Sequence, residues 1–179
     1  VYVGRLSHEK GVETLIDAVK KVPDVRLKII GDGPLKGALE EKVERGTIRN
    51  VSFLGYRTGE DLHDEIRGAM FLVIPSESYE NNPRTVIEAF ALGKPAVGAR
   101  IGGIPELVRD WETGLTHTSG DVNDLREKIE MMVANSDRIP EMGRNARSYV
   151  EEELIAEVHY HNLMNIYRKA TEKAGTSLE

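Results

Sequence analysis

Short apolar runs at residues 1–4, 25–30, 51–54, 70–74, 96–99 and 114–117 alternate with segments in which apolar residues recur every three or four positions. The first such segment, 11–22, sets Val12, Leu15, Ile16 and Val19 on one face of a helix; segments 35–45, 60–68 and 83–92 follow, with a short helix at 105–109. Thr58, with Asp61 three residues on, is expected to cap the third of these helices. Parallel strands need crossovers long enough to hold a helix, so this rhythm predicts an α/β fold: a Rossmann-like, mostly parallel sheet with helices on both faces. Such sheets bind ligands outside the carboxyl ends of their strands, where loops 4–10 and 76–82 both belong.

Beyond residue 117 the chain turns helical. Asp121 is expected to cap a helix reaching Ala134 with Val122, Leu125, Ile129 and Met132 inward; 139–152 forms another, and 154–174 a last one with Ile155, Val158, Leu163, Ile166 and Tyr167 along one side. No repeat or flexible linker divides the chain, so residues 1–179 are expected to form one domain. The final helices, about 137–175, pack on it or toward a further domain. The chain opens inside an apolar segment without an initiator Met, and a piece of a longer protein is therefore expected.

The densest chemistry lies between residues 71 and 99. An apolar run stops at Pro75, a polar loop follows, and Asn82-Pro83 reads as the N-cap and first turn of a helix ending near Leu92-Gly93. Glu80 sits in the loop and Glu88 in the helix, roughly 9 Å along the axis from Asn82. Between them lies a helix N-terminus, whose free N–H groups suit an anion. A ligand with a diphosphate in the middle and a diol-bearing ring at each end, such as a nucleotide sugar, fits that spacing, because each carboxylate can accept charge-assisted hydrogen bonds from neighbouring hydroxyls. An isolated pair of glutamates at this spacing is more commonly two solvated side chains, so their company matters.

That company is Pro75, Ser76, Glu80, Glu88, Ala89, Ala91, Gly93 and Pro95. The stretch resembles the Glu-x7-Glu signature of retaining glycosyltransferases of group 1, which have the two-domain GT-B fold. The loop Gly4-Arg5-Leu6-Ser7-His8-Glu9-Lys10-Gly11 is similar to the family's G-R-x-x-x-x-K-G loop, Ile101-Gly102-Gly103-Ile104-Pro105-Glu106 to its G-G-x-x-E turn, and Asp110-Trp111-Glu112-Thr113-Gly114-Leu115 to its D-G-x-x-G-hydrophobic segment. Gly102 and Gly103 are expected to allow a close backbone approach or a positive-φ turn. A structural role is expected for Glu106. One departure stands out. Many members carry Gly three residues after the first Glu, where this chain has Pro83, so one possible phosphate donor is lost and Asn82 and Arg84 must serve that edge.

The resemblance implies the C-terminal, donor-binding half of a GT-B fold. Arg5 and Lys10 would hold the donor's diphosphate and stabilise it as it departs. Glu80 would hold hydroxyls of the transferred sugar and Glu88 the ribose diol, with Gly4, Asn81, Asn82, Arg84 and Thr85 lining the same site. Arg5, Lys10 and Glu80 are the expected catalytic residues. Tyr56-Arg57 would stack on the base, beside the turn Gly31-Asp32-Gly33-Pro34-Leu35-Lys36-Gly37. That turn is not a dinucleotide fingerprint: its third glycine comes one residue late, and 51–55 offers no acid for a ribose.

The expected substrate is a UDP-, GDP- or ADP-hexose and the partner an N-terminal Rossmann domain that carries the acceptor, so the piece alone is expected to be inactive as a transferase. The five histidines do not cluster, and no D-x-D, P-loop, G-x-S-x-G or H-E-x-x-H is present, so neither a metal nor a cofactor is expected. His159 and His161 are read as structural. A nucleotide-sugar epimerase, a phosphorylase-like enzyme of the same fold and a non-catalytic nucleotide-binding module remain alternatives. The first two would be expected to show a further acid/base constellation or a cofactor lysine.

Composition narrows the partners further. A net charge of −6 gives no basic footprint for nucleic acid, and the absence of cysteine excludes disulfides and thiolate chemistry. No apolar run nears the ~20 residues of a membrane span and no signal peptide is evident, so the cytoplasm is expected. A peripheral seat of the full-length protein at the inner face of the membrane stays open.

Overall fold

The structure, a computed structural model, describes residues 1–173. Its strands are β1 (Tyr2–Val3), β2 (Leu27–Ile30), β3 (Val51–Gly55), β4 (Leu72–Ile74), β5 (Ala96–Ala99) and β6 (Gly114–His117). Its helices are α1 (Val12–Val19), α2 (Lys36–Arg45), α3 (Gly59–Arg67), α4 (Arg84–Ala91), α5 (Ile104–Leu107), α6 (Val122–Ala134), α7 (Ile139–Glu153) and α8 (Ala156–Lys173). Strands β1-β2-β3 and β4-β5-β6 form two parallel ladders. The Val1 amine donates to the Phe71 carbonyl at 2.9 Å and the Val73 N–H to the Val1 carbonyl at 2.8 Å, so β1 and β4 run side by side and the strand order reads 3-2-1-4-5-6. The order reverses between β1 and β4, where a doubly wound sheet opens its ligand crevice.

Period-2 alternation explains why both faces are covered. Ile29, Val73, Val97 and Leu115 point to a core shared with Leu15, Ile16 and Val19 of α1 and Leu125, Ile129 and Met132 of α6. Their strand neighbours Ile30, Leu72, Ile74 and Ala96 point the other way, onto Ile66 of α3, Val86 and Phe90 of α4, Ile104 of α5 and Ala146 of α7.

Three local expectations need correction. Asn82 is not the N-cap of α4: Pro83 occupies that position, with an extended ψ of 101°, and its carbonyl accepts from Val86 N–H at 2.9 Å. The pyrrolidine ring fixes φ alone, so ψ can stay extended and helical geometry begins one residue later. Thr58 stands at the N-cap of α3 without a side-chain capping bond, because Gly59 turns the chain through φ +58° just where a capping box needs a helical residue. The last helix begins at Ala156, and Ile166 and Tyr167 on its predicted apolar side are 62% and 52% exposed. Ala174 lies outside the described residues. Asp121, by contrast, caps α6 as expected, accepting from Asn123 and Asp124 N–H.

His117, at the end of β6, is fully buried; Nδ1 lies 2.9 Å from the Thr118 carbonyl and Nε2 has no partner among the described residues. Burial pulls its pKa below the ordinary value and Arg100 adds to this, against the Thr118 carbonyl, Asp124 and Asp121. The unfolded chain therefore takes up this proton first. The contribution of this group to stability is fully present above about pH 6.5 and is lost as pH falls through the window below it, by at most about 1.4 kcal/mol per pH unit. Melting curves between pH 7.5 and 5.5 should show that slope, and His117→Gln should flatten it.

Candidate functional site

The loop after β1 is fixed by three backbone hydrogen bonds. Gly4 N–H donates to the Ile30 carbonyl, Leu6 N–H to the Asp32 carbonyl at 2.9 Å, and Leu35 N–H to the Leu6 carbonyl at 3.0 Å, which ties this loop to the glycine turn after β2. Beneath it the buried Tyr2 hydroxyl donates to the Arg5 carbonyl at 2.8 Å. Its pKa is pushed up by burial and then by Glu80 and Glu9, so it stays a neutral donor. A Cβ on Gly4 would stand 2.8 Å from that hydroxyl.

The loop after β4 meets it across the crevice. Glu77 N–H donates to the Glu9 carbonyl at 2.9 Å, and Thr14 Oγ1 donates to Glu77 Oε1 at 2.5 Å. Lys10 Nζ, 70 residues earlier in the chain, donates to Glu80 Oε1 at 2.5 Å, and Ser76 Oγ donates to the same oxygen at 3.1 Å. The backbone of Glu80 rests on the turn after β5: Gly103 N–H donates to the Glu80 carbonyl at 2.6 Å, and Gly102, at φ +56°, has no room for a side chain against Glu80. Glu106, in α5 beyond that turn, is exposed and has no ion pair or side-chain hydrogen bond among the described residues.

Two adjoining clefts open along this edge. The wider, about 910 Å³, is bounded by Gly31, Asp32 and Gly33 after β2, by Tyr56, Arg57 and Thr58 after β3, and by Leu62, His63 and Glu88. The smaller, about 300 Å³, is bounded by Tyr2, Lys10, Ser76, Glu80 and Asn82. Val3, Gly4, Arg5, Arg84 and Thr85 line both and so mark the junction. Arg84 and Thr85 open α4, and the first amides of a helix have no acceptor within it, so free N–H groups stand where the clefts meet, in the stretch that Arg5 also lines. Tyr56 lines the wide cleft and is 71% exposed, which leaves its ring free for stacking there. Glu88, one turn beyond Arg84, pairs with it at 3.8 Å.

The site residues expected from sequence thus line these two clefts at one sheet edge, with one exception. Asn81 lines neither cleft, and its carbonyl faces Gly103 instead. Tyr2, Thr58, Leu62 and His63 were not foreseen as lining residues; only the position of Thr58 just beyond an apolar run could have flagged one of them. Among the described residues no three His, Asp or Glu side chains gather as a metal site would require, and no helix is long and apolar enough to cross a membrane.

Residues 1–149 match the family described as glycosyl transferases group 1. An uncharacterized glycosyltransferase of Methanocaldococcus jannaschii is 34% identical over 149 residues, covering 83% of this chain and 42% of that protein. The Anabaena protein HepE, solved in complex with UDP-glucose, is 27% identical with a TM-score of 0.78, covering 84% of this chain and 43% of that one. The C-terminal domain of a group 1 glycosyl transferase from Francisella tularensis shares the fold with a TM-score of 0.76 at 22% identity, covering 87% of this chain and 85% of that one. The chain therefore spans less than half the length of the first two proteins.

Proposed function

This chain belongs to the group 1 glycosyl transferases, and on that premise we propose that it is the donor-binding C-terminal half of a retaining, metal-independent hexosyltransferase. The observation that carries the reading is the order of groups along the joined clefts. A stacking ring and Glu88 stand at one end, cations and helix amides at the junction, and the Lys10–Glu80 pair at the other, which follows the order of base and ribose, diphosphate and sugar in a nucleotide sugar. The complex of HepE with UDP-glucose supports that ligand class.

As the bond from sugar to phosphate breaks, negative charge grows on the diphosphate. Arg5 and the Arg84 and Thr85 amides, at the junction, offset it, and Lys10 reaches the same group from the smaller cleft beside Glu80; together they take the part a metal ion plays in other transferases. Glu80 holds the sugar's hydroxyls so that the anomeric carbon faces the acceptor side of the crevice. In this reading residues 1–179 form one nucleotide-sugar-binding unit, and the acceptor, with any acid or base near it, comes from a second, N-terminal half.

Titrating UDP-, GDP- and ADP-glucose into the chain tests this directly: one should saturate with the stoichiometry of a single site. Lys10→Ala should then weaken the nucleoside diphosphate roughly tenfold, about 1.4 kcal/mol, while the bare nucleoside hardly changes. Equal losses for both ligands would mean that Lys10 acts through folding and holds no phosphate.

A further inference from the structure

We infer that Ser76 is a positioning residue for Glu80, holding its carboxylate so that a single oxygen faces the sugar of the donor; the inference rests on the donor-binding reading above. Ser76 is 1% exposed, yet its hydroxyl is spent on Glu80 Oε1, the oxygen that Lys10 also engages. Glu80 Oε2 has no hydrogen-bond partner among the described residues. One oxygen is therefore anchored by two donors and the other is left for a ligand.

The anchor is itself braced. Ser119, in the loop after β6, donates to the Ser76 carbonyl at 2.9 Å, while the Gly102-Gly103 turn after β5 holds the Glu80 backbone. Loops from three neighbouring strands thus hold the segment that carries this carboxylate. A glutamate side chain turns about several single bonds, and a ligand that must first order it binds less tightly than one that meets it already ordered. Lys10 supplies charge but not direction, because an ammonium on a flexible stem accepts many geometries. The short Ser76 side chain, fixed in the core, supplies the direction.

The test is calorimetry on wild-type protein, Ser76→Ala, Ser76→Thr and Ser119→Ala with UDP and UDP-glucose, or with the guanine or adenine counterparts if wild type prefers them. Ser76→Ala should lose three- to tenfold in affinity for the sugar-bearing donor and less than twofold for the diphosphate. Ser76→Thr, which keeps the hydroxyl, should recover most of the difference, and Ser119→Ala should show a smaller loss of the same selectivity. A uniform loss, or none, in a folded Ser76→Ala would overturn the inference alone; if that variant does not fold, the same comparison on Ser119→Ala decides. Wild-type protein that takes none of these nucleotides would overturn the donor-binding reading, and the inference with it.

Discussion

Gly31→Ala is expected to lower the stability of this chain by roughly 2–4 kcal/mol, a fall of roughly 4–16 °C in Tm, while Gly37→Ala, six residues on, should leave it unchanged or raise it by up to ~1 kcal/mol. Gly31 adopts φ +142°, a conformation that side chains rarely enter, and a Cβ there would overlap the carbonyl of Gly4. Its own N–H donates to the Gly55 carbonyl at 2.9 Å, so the backbone is held between β1 and β3 and cannot yield on one side without losing a bond on the other. Gly37 lies in α2 with nothing near the space its Cβ would fill, and alanine is the better helix former. Thermal melts of the two variants give the contrast directly, and equal melting temperatures would deny the close approach of the two loops. Because Gly4 precedes Arg5, the first variant should also disturb the junction of the clefts.

The architecture was legible because each strand announces itself twice, by its apolar run and by the amphipathic helix that follows. Runs such as Leu72–Ile74 and Ala96–Ala99 read as fully buried strands and are buried residue by residue. The strand order was not legible: nothing local in Val1 or Val73 says that they lie side by side. The contact of Lys10 with Glu80 was foreseen only as a shared sheet edge, since two loops so far apart in sequence meet through the order of β1 and β4. The Asn82 cap misled because a proline sets φ and leaves ψ open. The bracing of Glu80 by Ser76, Ser119 and Gly103 was out of reach, because it depends on three loops converging. Trp111 shows the same limit: it stands at φ +65°, where the family motif has glycine, under the Arg138 guanidinium at 4.4 Å.

The two carboxylates of the Glu-x7-Glu signature should separate when each is neutralised in turn. Glu88 lines the wide cleft with Tyr56 and Asp32, so Glu88→Gln should weaken UDP and UDP-glucose alike, by about 1.5–3 kcal/mol, the worth of hydrogen bonds to a charged group. Glu80 lines the smaller cleft beyond the junction, with a side chain only 18% exposed, so a lost charge there is poorly replaced by water. Glu80→Gln should spare UDP and weaken UDP-glucose by a similar amount, roughly ten- to 150-fold. Glutamine keeps the size and one acceptor oxygen, so a difference between the two ligands reports on charge rather than on packing.

Calorimetry of wild-type protein, Glu80→Gln and Glu88→Gln with UDP and UDP-glucose is accordingly the most direct test of the proposed order of base, diphosphate and sugar along the crevice. The expected result is a crossed pattern: Glu88→Gln impaired for both ligands and Glu80→Gln for the sugar-bearing one alone. Identical profiles for the two variants, or a Glu80→Gln that loses UDP as strongly as UDP-glucose, would contradict it.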